Sequence, residues 1–210
     1  MKKYLLLLIA AFTFQFGQAQ EFHFIPKIGM SFANLTNTDG SMTPGLNIGV
    51  AAEFPIFEDF AIEPGIYYSM QGTRSDVYVA MDDMLVDGDL TYDMDYLNIP
   101  IYAKYYVYDG LYLFAGPQFG FNVQSSLNAD AVNFEGSGED MDIKDIVKVF
   151  DFSIGIGAGY QFDMGLNVSL NYNIGLTNTF DYGDTTSEYL KEEFDKCRNS
   201  VLQINLGWRF

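Results

Sequence analysis

The chain has 210 residues, enough for one domain with a targeting segment, and carries 28 acidic residues against 11 basic ones. A net charge of −17 excludes nucleic acid as a partner, because phosphate backbones need basic surfaces. The single cysteine, Cys197, excludes a disulfide framework and a thiolate zinc cluster.

The N-terminus reads as a signal peptide over residues 1–19. Met1-Lys2-Lys3 is a short basic region, Tyr4–Phe14 is an apolar core, and Gly17-Gln18-Ala19 offers small residues for cleavage after Ala19. Removing Lys2 and Lys3 leaves 9 basic residues against 28 acids, so the mature domain, 20–210, has a formal charge of −19. No later stretch is long and apolar enough for a transmembrane helix. A chain of this kind can sit in a membrane only as a closed barrel, which satisfies its own backbone groups.

Eight strands with a period of two follow. They are Phe22–Ala33, Pro44–Phe54, Phe60–Thr73, Asp95–Val107, Leu111–Gln124, two within Phe150–Thr179, and Val201–Phe210. The stretch Phe150–Thr179 is the clearest. Phe152, Ile154, Ile156, Ala158, Tyr160 and Phe162 share one face against Ser153, Gly155, Gly157, Gly159 and Gln161. The next strand alternates Leu166, Val168, Leu170, Tyr172, Ile174 and Leu176 with Asn167, Ser169, Asn171, Asn173, Gly175 and Thr177. Apolar residues on one face and small or polar ones on the other fit an antiparallel, up-and-down transmembrane barrel better than a sandwich, whose inner faces carry large side chains.

Three turns test that parity. Tyr108-Asp109-Gly110 sets Val107 opposite Leu111, Asp163-Met164-Gly165 sets Phe162 opposite Leu166, and Phe57-Glu58-Asp59 sets Ile56 opposite Phe60. Short connections at 55–59, 108–110 and 163–165 alternate with long ones at about 34–43, 74–94, 125–149 and 180–200. That segregation is the outer-membrane pattern, with long loops outside the cell. Pro26, Pro64, Pro100 and Pro117 fall inside strands, where bulges are expected. Segments 139–148 and 186–197 are read as short loop helices.

At Leu97–Tyr106 (LNIPIYAKYY), Leu111–Phe121 (LYLFAGPQFGF) and Ile154–Phe162 (IGIGAGYQF) the chain resembles the PorT-like outer-membrane β-barrel family of Gram-negative bacteria. The likeness covers Gln20–Phe210. It implies an outer-membrane location, and one branch of the family serves protein secretion to the cell surface. The terminal aromatic Phe210, after Trp208, is similar to the signal by which such barrels are recognised for insertion.

An eight-stranded barrel has an interior just wide enough for side chains to fill. Tyr67, Tyr102, Tyr106, Tyr112 and Phe114 point inward by parity, toward Gly, Ser and Asn on the later strands, and are expected to occlude the lumen. Lys27, Glu53, Glu63, Lys104 and Arg209 also point inward, toward the periplasmic half, where buried charges must pair. Their two readings are a gate and a structural plug, and the lumen width favours the plug. Acids crowd the long loops, but Asp87-Gly88-Asp89 lacks the spacing of a calcium loop, so no metal and no cofactor is expected. His23 is the only histidine and sits near the periplasmic start of the first strand, so no Ser–His–acid site can form at the loop rim. The expectation is a monomeric, non-enzymatic barrel in outer-membrane lipid, structural or binding an extracellular partner through acidic loops. The alternative is a narrow solute pore or an accessory of secretion, with a secretion partner.

Overall fold

The computed structural model describes residues 22–36, 41–81, 84–131, 140–144, 146–180 and 197–210. The signal peptide expected over 1–19 and most of the helix expected over 186–197 lie outside the described residues. Nine strands are present among them: β1 His23–Leu35, β2 Ser41–Phe57, β3 Phe60–Met81, β4 Met84–Tyr108, β5 Leu111–Ala131, β6 Asp140–Asp142, β7 Phe150–Gln161, β8 Leu166–Gly175 and β9 Asn199–Trp208. Every pairing is antiparallel. β1 pairs with both β2 and β9, and β4 with β5, so eight strands close into a barrel in the order β1-β2-β3-β4-β5-β7-β8-β9. β6 is a short addition to the outer end of β5, paired through Ser126↔Asp142, and the described residues of 139–148 form this strand and a turn instead of the expected helix.

The alternation that defines the strands also sorts the side chains. On β1, Ile25, Lys27 and Ser31 are buried while Phe24, Ile28 and Met30 are exposed. On β8, Asn167, Ser169, Asn171 and Asn173 are buried while Leu170, Tyr172 and Ile174 are exposed. Polar residues inside and apolar residues outside invert the soluble arrangement, which only a lipid surround rewards.

The turns depart from expectation in detail. Asp109 and Gly110 both have positive φ, 40° and 86°, and Tyr108 pairs with Leu111, which makes a two-residue turn whose twist suits the flanking strands. Val107 therefore does not face Leu111, because an irregularity between Tyr106 and Tyr108 adds one residue. Phe57 rather than Ile56 pairs with Phe60 for the same reason, with an irregularity between Pro55 and Phe57. Only the third turn has the expected form: Phe162 N–H donates to the Leu166 carbonyl at 2.8 Å and Gly165 has φ 101°.

Pro26, Pro64, Pro100 and Pro117 bring no bulge, whereas the two irregularities of β2 against β3 fall at its own prolines, one between Met42 and Asn47 across Pro44 and one between Pro55 and Phe57. Pro64↔Ile101 and Tyr67↔Asn98 keep one register across the β3–β4 ladder, and Pro100↔Gln118 and Ala103↔Ala115 keep one across β4–β5. Each proline costs a donor, and intact pairs on either side hold the alignment. The strands β3 and β4 are also longer than the sequence suggests. They stay paired to Met81↔Met84, so 74–94 is largely a paired arm and not a loop.

Gly110 is in the left-handed region, where a side chain is strained, and a Cβ there would run into the Gln161 carbonyl oxygen. Gly110→Val should therefore destabilise the barrel by roughly 1–3 kcal/mol, read as a lower urea midpoint in lipid vesicles with unchanged migration of the folded form.

Candidate functional site

The lumen at the short-turn end is a charged floor. Lys27 Nζ donates to Glu63 Oε1 at 2.5 Å, and Lys104 Nζ donates to Glu63 Oε2 at 2.9 Å and to Glu53 Oε2. Glu53 also accepts from the Tyr106 hydroxyl at 2.7 Å and pairs with Arg209 Nη2 at 3.2 Å. The Lys104 ammonium lies 3.9 Å from the Tyr112 ring centroid. Lys27, Lys104, Glu53 and Glu63 are buried and mutually neutralising, two cations against two anions. Arg209, the fifth charge, keeps about a quarter of its side chain exposed (26%) at the rim.

Above the floor the aromatic side chains interlock with glycines. β5 and β7 pair Tyr112 with Gly159 and Phe114 with Gly157. A Cβ on Gly157 would lie 2.5 Å from the Phe114 ring, and one on Gly155 would lie 2.7 Å from the Tyr102 ring. Tyr67 is held in the same way between Gly49 and Gly65. The run Gly155-Ile156-Gly157-Ala158-Gly159 is thus the seat of three rings. Tyr102 and Phe114 centroids are 5.0 Å apart, and Tyr106 and Tyr112 centroids 5.5 Å. A cavity of about 20 Å³, lined by Lys27, Glu63, Tyr67, Asn98, Gln118 and Asn205 among others, gives room for a single water.

An amide ladder fills the other side of the lumen. Asn47 donates to Asn205 Oδ1 at 2.7 Å, Asn205 to Asn171 Oδ1 at 3.2 Å, and Asn171 to Gln203 Oε1 at 3.0 Å. Tyr112 anchors to it through Asn167 Oδ1 at 2.9 Å, and the Tyr102 hydroxyl lies 3.1 Å from Asn173 Oδ1. Each link satisfies a polar group that would otherwise be costly to bury.

The long-loop end is closed by different chemistry. Leu35, Met94, Tyr96, Ile143, Val147, Phe180 and Cys197 form one buried apolar cluster, with Tyr92 and Leu127 packed against it. Val147 bridges Phe180, Lys148 N–H donates to the Thr179 carbonyl at 2.8 Å, and Thr179 N–H to the Cys197 carbonyl at 2.9 Å, so three irregular segments cross the mouth together. Inward parity could have flagged Leu35, Met94 and Tyr96. Ile143, Val147, Phe180 and Cys197 lie in aperiodic sequence that carries no such signal.

Residues 16–181 match the outer membrane protein beta-barrel domain family. The chain belongs to that family. It is an outer-membrane barrel of the Gram-negative type, crossing the membrane on eight antiparallel strands. No curated protein matches it in sequence. Among solved structures it is similar to Neisserial surface protein A (12% identity, TM-score 0.49, covering 90% of this chain and 97% of that one). It is also similar to the attachment invasion locus protein Ail of Yersinia pestis (18%, TM-score 0.42, 90% and 99%). A third is CarO of Acinetobacter baumannii (14%, TM-score 0.44, 88% and 97%).

In an outer-membrane barrel the short turns face the periplasm and the long loops face outside, which puts the charged floor at the periplasmic end and the apolar cap at the cell surface. Trp208 and Phe210 lie on the outer wall at the periplasmic rim, both exposed. Phe210 N–H donates to the Phe24 carbonyl at 3.0 Å, so the last residue is stitched to the first strand. Acids of 181–196 lie outside the described residues. Of the acids nearer the barrel, Asp95 accepts a hydrogen bond from the Tyr68 hydroxyl.

Glu63 is the shared partner of both buried lysines. Glu63→Gln leaves them undercompensated and should cost about 3–5 kcal/mol of stability in lipid vesicles. Adding Lys27→Met to Glu63→Gln should recover part of the loss, because one buried charge then disappears along with its partner. A double variant no more stable than the single one would show that the floor is not held by charge pairing.

Proposed function

We propose that this outer-membrane barrel is a non-enzymatic, non-conducting envelope protein, structural or partner-binding, whose working surface is its extracellular side. The observation that carries this is a lumen filled from end to end. A continuous water path would have to separate the Lys104–Glu53 pair, displace Tyr102, Tyr112 and Phe114 from their glycine seats, and open the cap around Phe180. The cavity among Lys27, Glu63 and Tyr67, about 20 Å³, holds no more than a water.

The position of His23 also supports a non-enzymatic role. It is in register with Glu53 at the periplasmic end, a barrel's length from the rim where a surface enzyme would need a base. The PorT-like runs LNIPIYAKYY, LYLFAGPQFGF and IGIGAGYQF carry one floor charge, Lys104, together with the rings Tyr102, Tyr112 and Phe114 and their glycine seats, so they bear on how the barrel is packed. An accessory role in secretion draws on that resemblance alone.

The refolded mature chain should be silent in planar-bilayer recordings while a parallel gel shows the heat-modifiable migration of a closed barrel. Discrete, salt-dependent current steps from a confirmed barrel would overturn the reading. So would alteration of lipid A or phospholipid by the purified protein.

A further inference from the structure

Among the described residues, the extracellular end of the barrel has an open backbone edge. β3 pairs with β2 only as far as Ser41↔Arg74, yet stays paired with β4 to Met81↔Met84. On its other side β4 leaves β5 at Gly88↔Ala131. β3 therefore runs on from Ser75 to Met81 with β4 on one side and, among the described residues, no strand on the other. An edge of this length offers a row of backbone donors and acceptors to any extended chain, and proteins normally blunt such edges with lysine, proline or a bulge. Ser75-Asp76-Val77-Tyr78-Val79-Ala80-Met81 contains no lysine or proline, and its register with β4 is unbroken.

Charge selects the occupant. From residue 75 to 103 the chain carries seven aspartates, Asp76, Asp82, Asp83, Asp87, Asp89, Asp93 and Asp95, and no lysine, arginine or histidine. The chain's own remaining segments fit poorly for that reason: 37–40 has one aspartate and no base, 132–139 has two glutamates and no base, and 181–196 has six acids against two lysines. A second copy would bring the same seven aspartates. Like charges set across an edge oppose pairing, whereas basic residues would be drawn to it.

We propose that the free edge of β3, Ser75–Met81, takes up an extended basic segment of another protein as an added strand, with backbone hydrogen bonds supplying affinity and the aspartates supplying selectivity. This rests on the reading of the extracellular side as the working surface and names its partner class.

The test uses the full mature chain refolded in nanodiscs and three labelled heptapeptides at about 0.15 M salt, where distant charges are screened. The first alternates lysine and valine, the second glutamate and valine, and the third is the lysine peptide N-methylated at two consecutive central residues, which blocks both of its backbone edges. The lysine peptide should bind, and the other two should bind roughly tenfold or more weakly. A barrel in which residues 77–88 are replaced by an Asn-Gly turn should lose the binding and keep its heat-modifiable migration, because Asp76 and Asp89 are cross-strand partners that such a turn can join. Equal binding of the methylated peptide would reduce the interaction to charge alone and overturn the added strand. No binding of the lysine peptide, or full binding by the shortened barrel, would overturn it too. Those failures leave the non-conducting barrel untouched, since that reading stands or falls on bilayer recordings.

Discussion

A chain that crosses lipid on strands must join its last strand to its first, because an open edge would leave backbone groups without partners in a medium that offers none. With eight strands that closure leaves a lumen about one layer of side chains wide, and the rest of this structure follows from filling it. The lipid face is undemanding and takes almost any apolar residue. The lumen is the true core, and it has to be built from side chains whose polar groups find one another.

Three solutions are stacked along the axis. At the periplasmic end two lysines and two glutamates neutralise each other in a buried cluster, and such a cluster is stable only while every member keeps its partner. In the middle, shape does the work: three rings from β4 and β5 lie over three glycines of β7, and amides from β2, β8 and β9 close the gaps. At the surface end the filling is apolar and is supplied partly by chain between the strands. The order is physically sensible. Regular strands can aim charges at one another with fixed geometry, whereas irregular segments hold a cap better through non-directional burial.

How much of this was legible in the sequence depended on periodicity. Strict alternation placed Lys27, Glu53, Glu63, Lys104 and Arg209 on the inward side, as well as Tyr67, Tyr102, Tyr106, Tyr112 and Phe114, and their convergence follows from closure. Parity says which way a side chain faces but not which residue lies across from it. The glycine seats of Tyr102, Phe114 and Tyr112 therefore needed the β5–β7 register. The turn at Asp109–Gly110 was misjudged by one residue because a bulge and a two-residue turn have the same net parity as a three-residue turn. The prolines misled because a lost donor was equated with a lost register, when neighbouring pairs suffice to keep it. The part of the cap outside the strands was invisible, since Ile143, Val147, Phe180 and Cys197 belong to no repeating pattern.

The two plugs differ in how they could ever yield. Opening the floor means exposing four buried charges together, and a partly separated intermediate would hold an unpaired ion in the lumen at a cost of several kcal/mol. Such a barrier rises at the first step. The cap can come apart piecemeal, since each apolar side chain withdrawn loses only its own burial, about 1.5–3 kcal/mol for a large one. Motion at the cell surface is thus compatible with a sealed membrane, provided the floor stays shut. The arm of β3 and β4 stands on the side of the apolar cap, while its roots, Tyr67 and Tyr102, are wedged against glycines deep in the barrel. A base held by paired charges beneath a cap held by apolar burial is the division of labour that the proposed contact role would use.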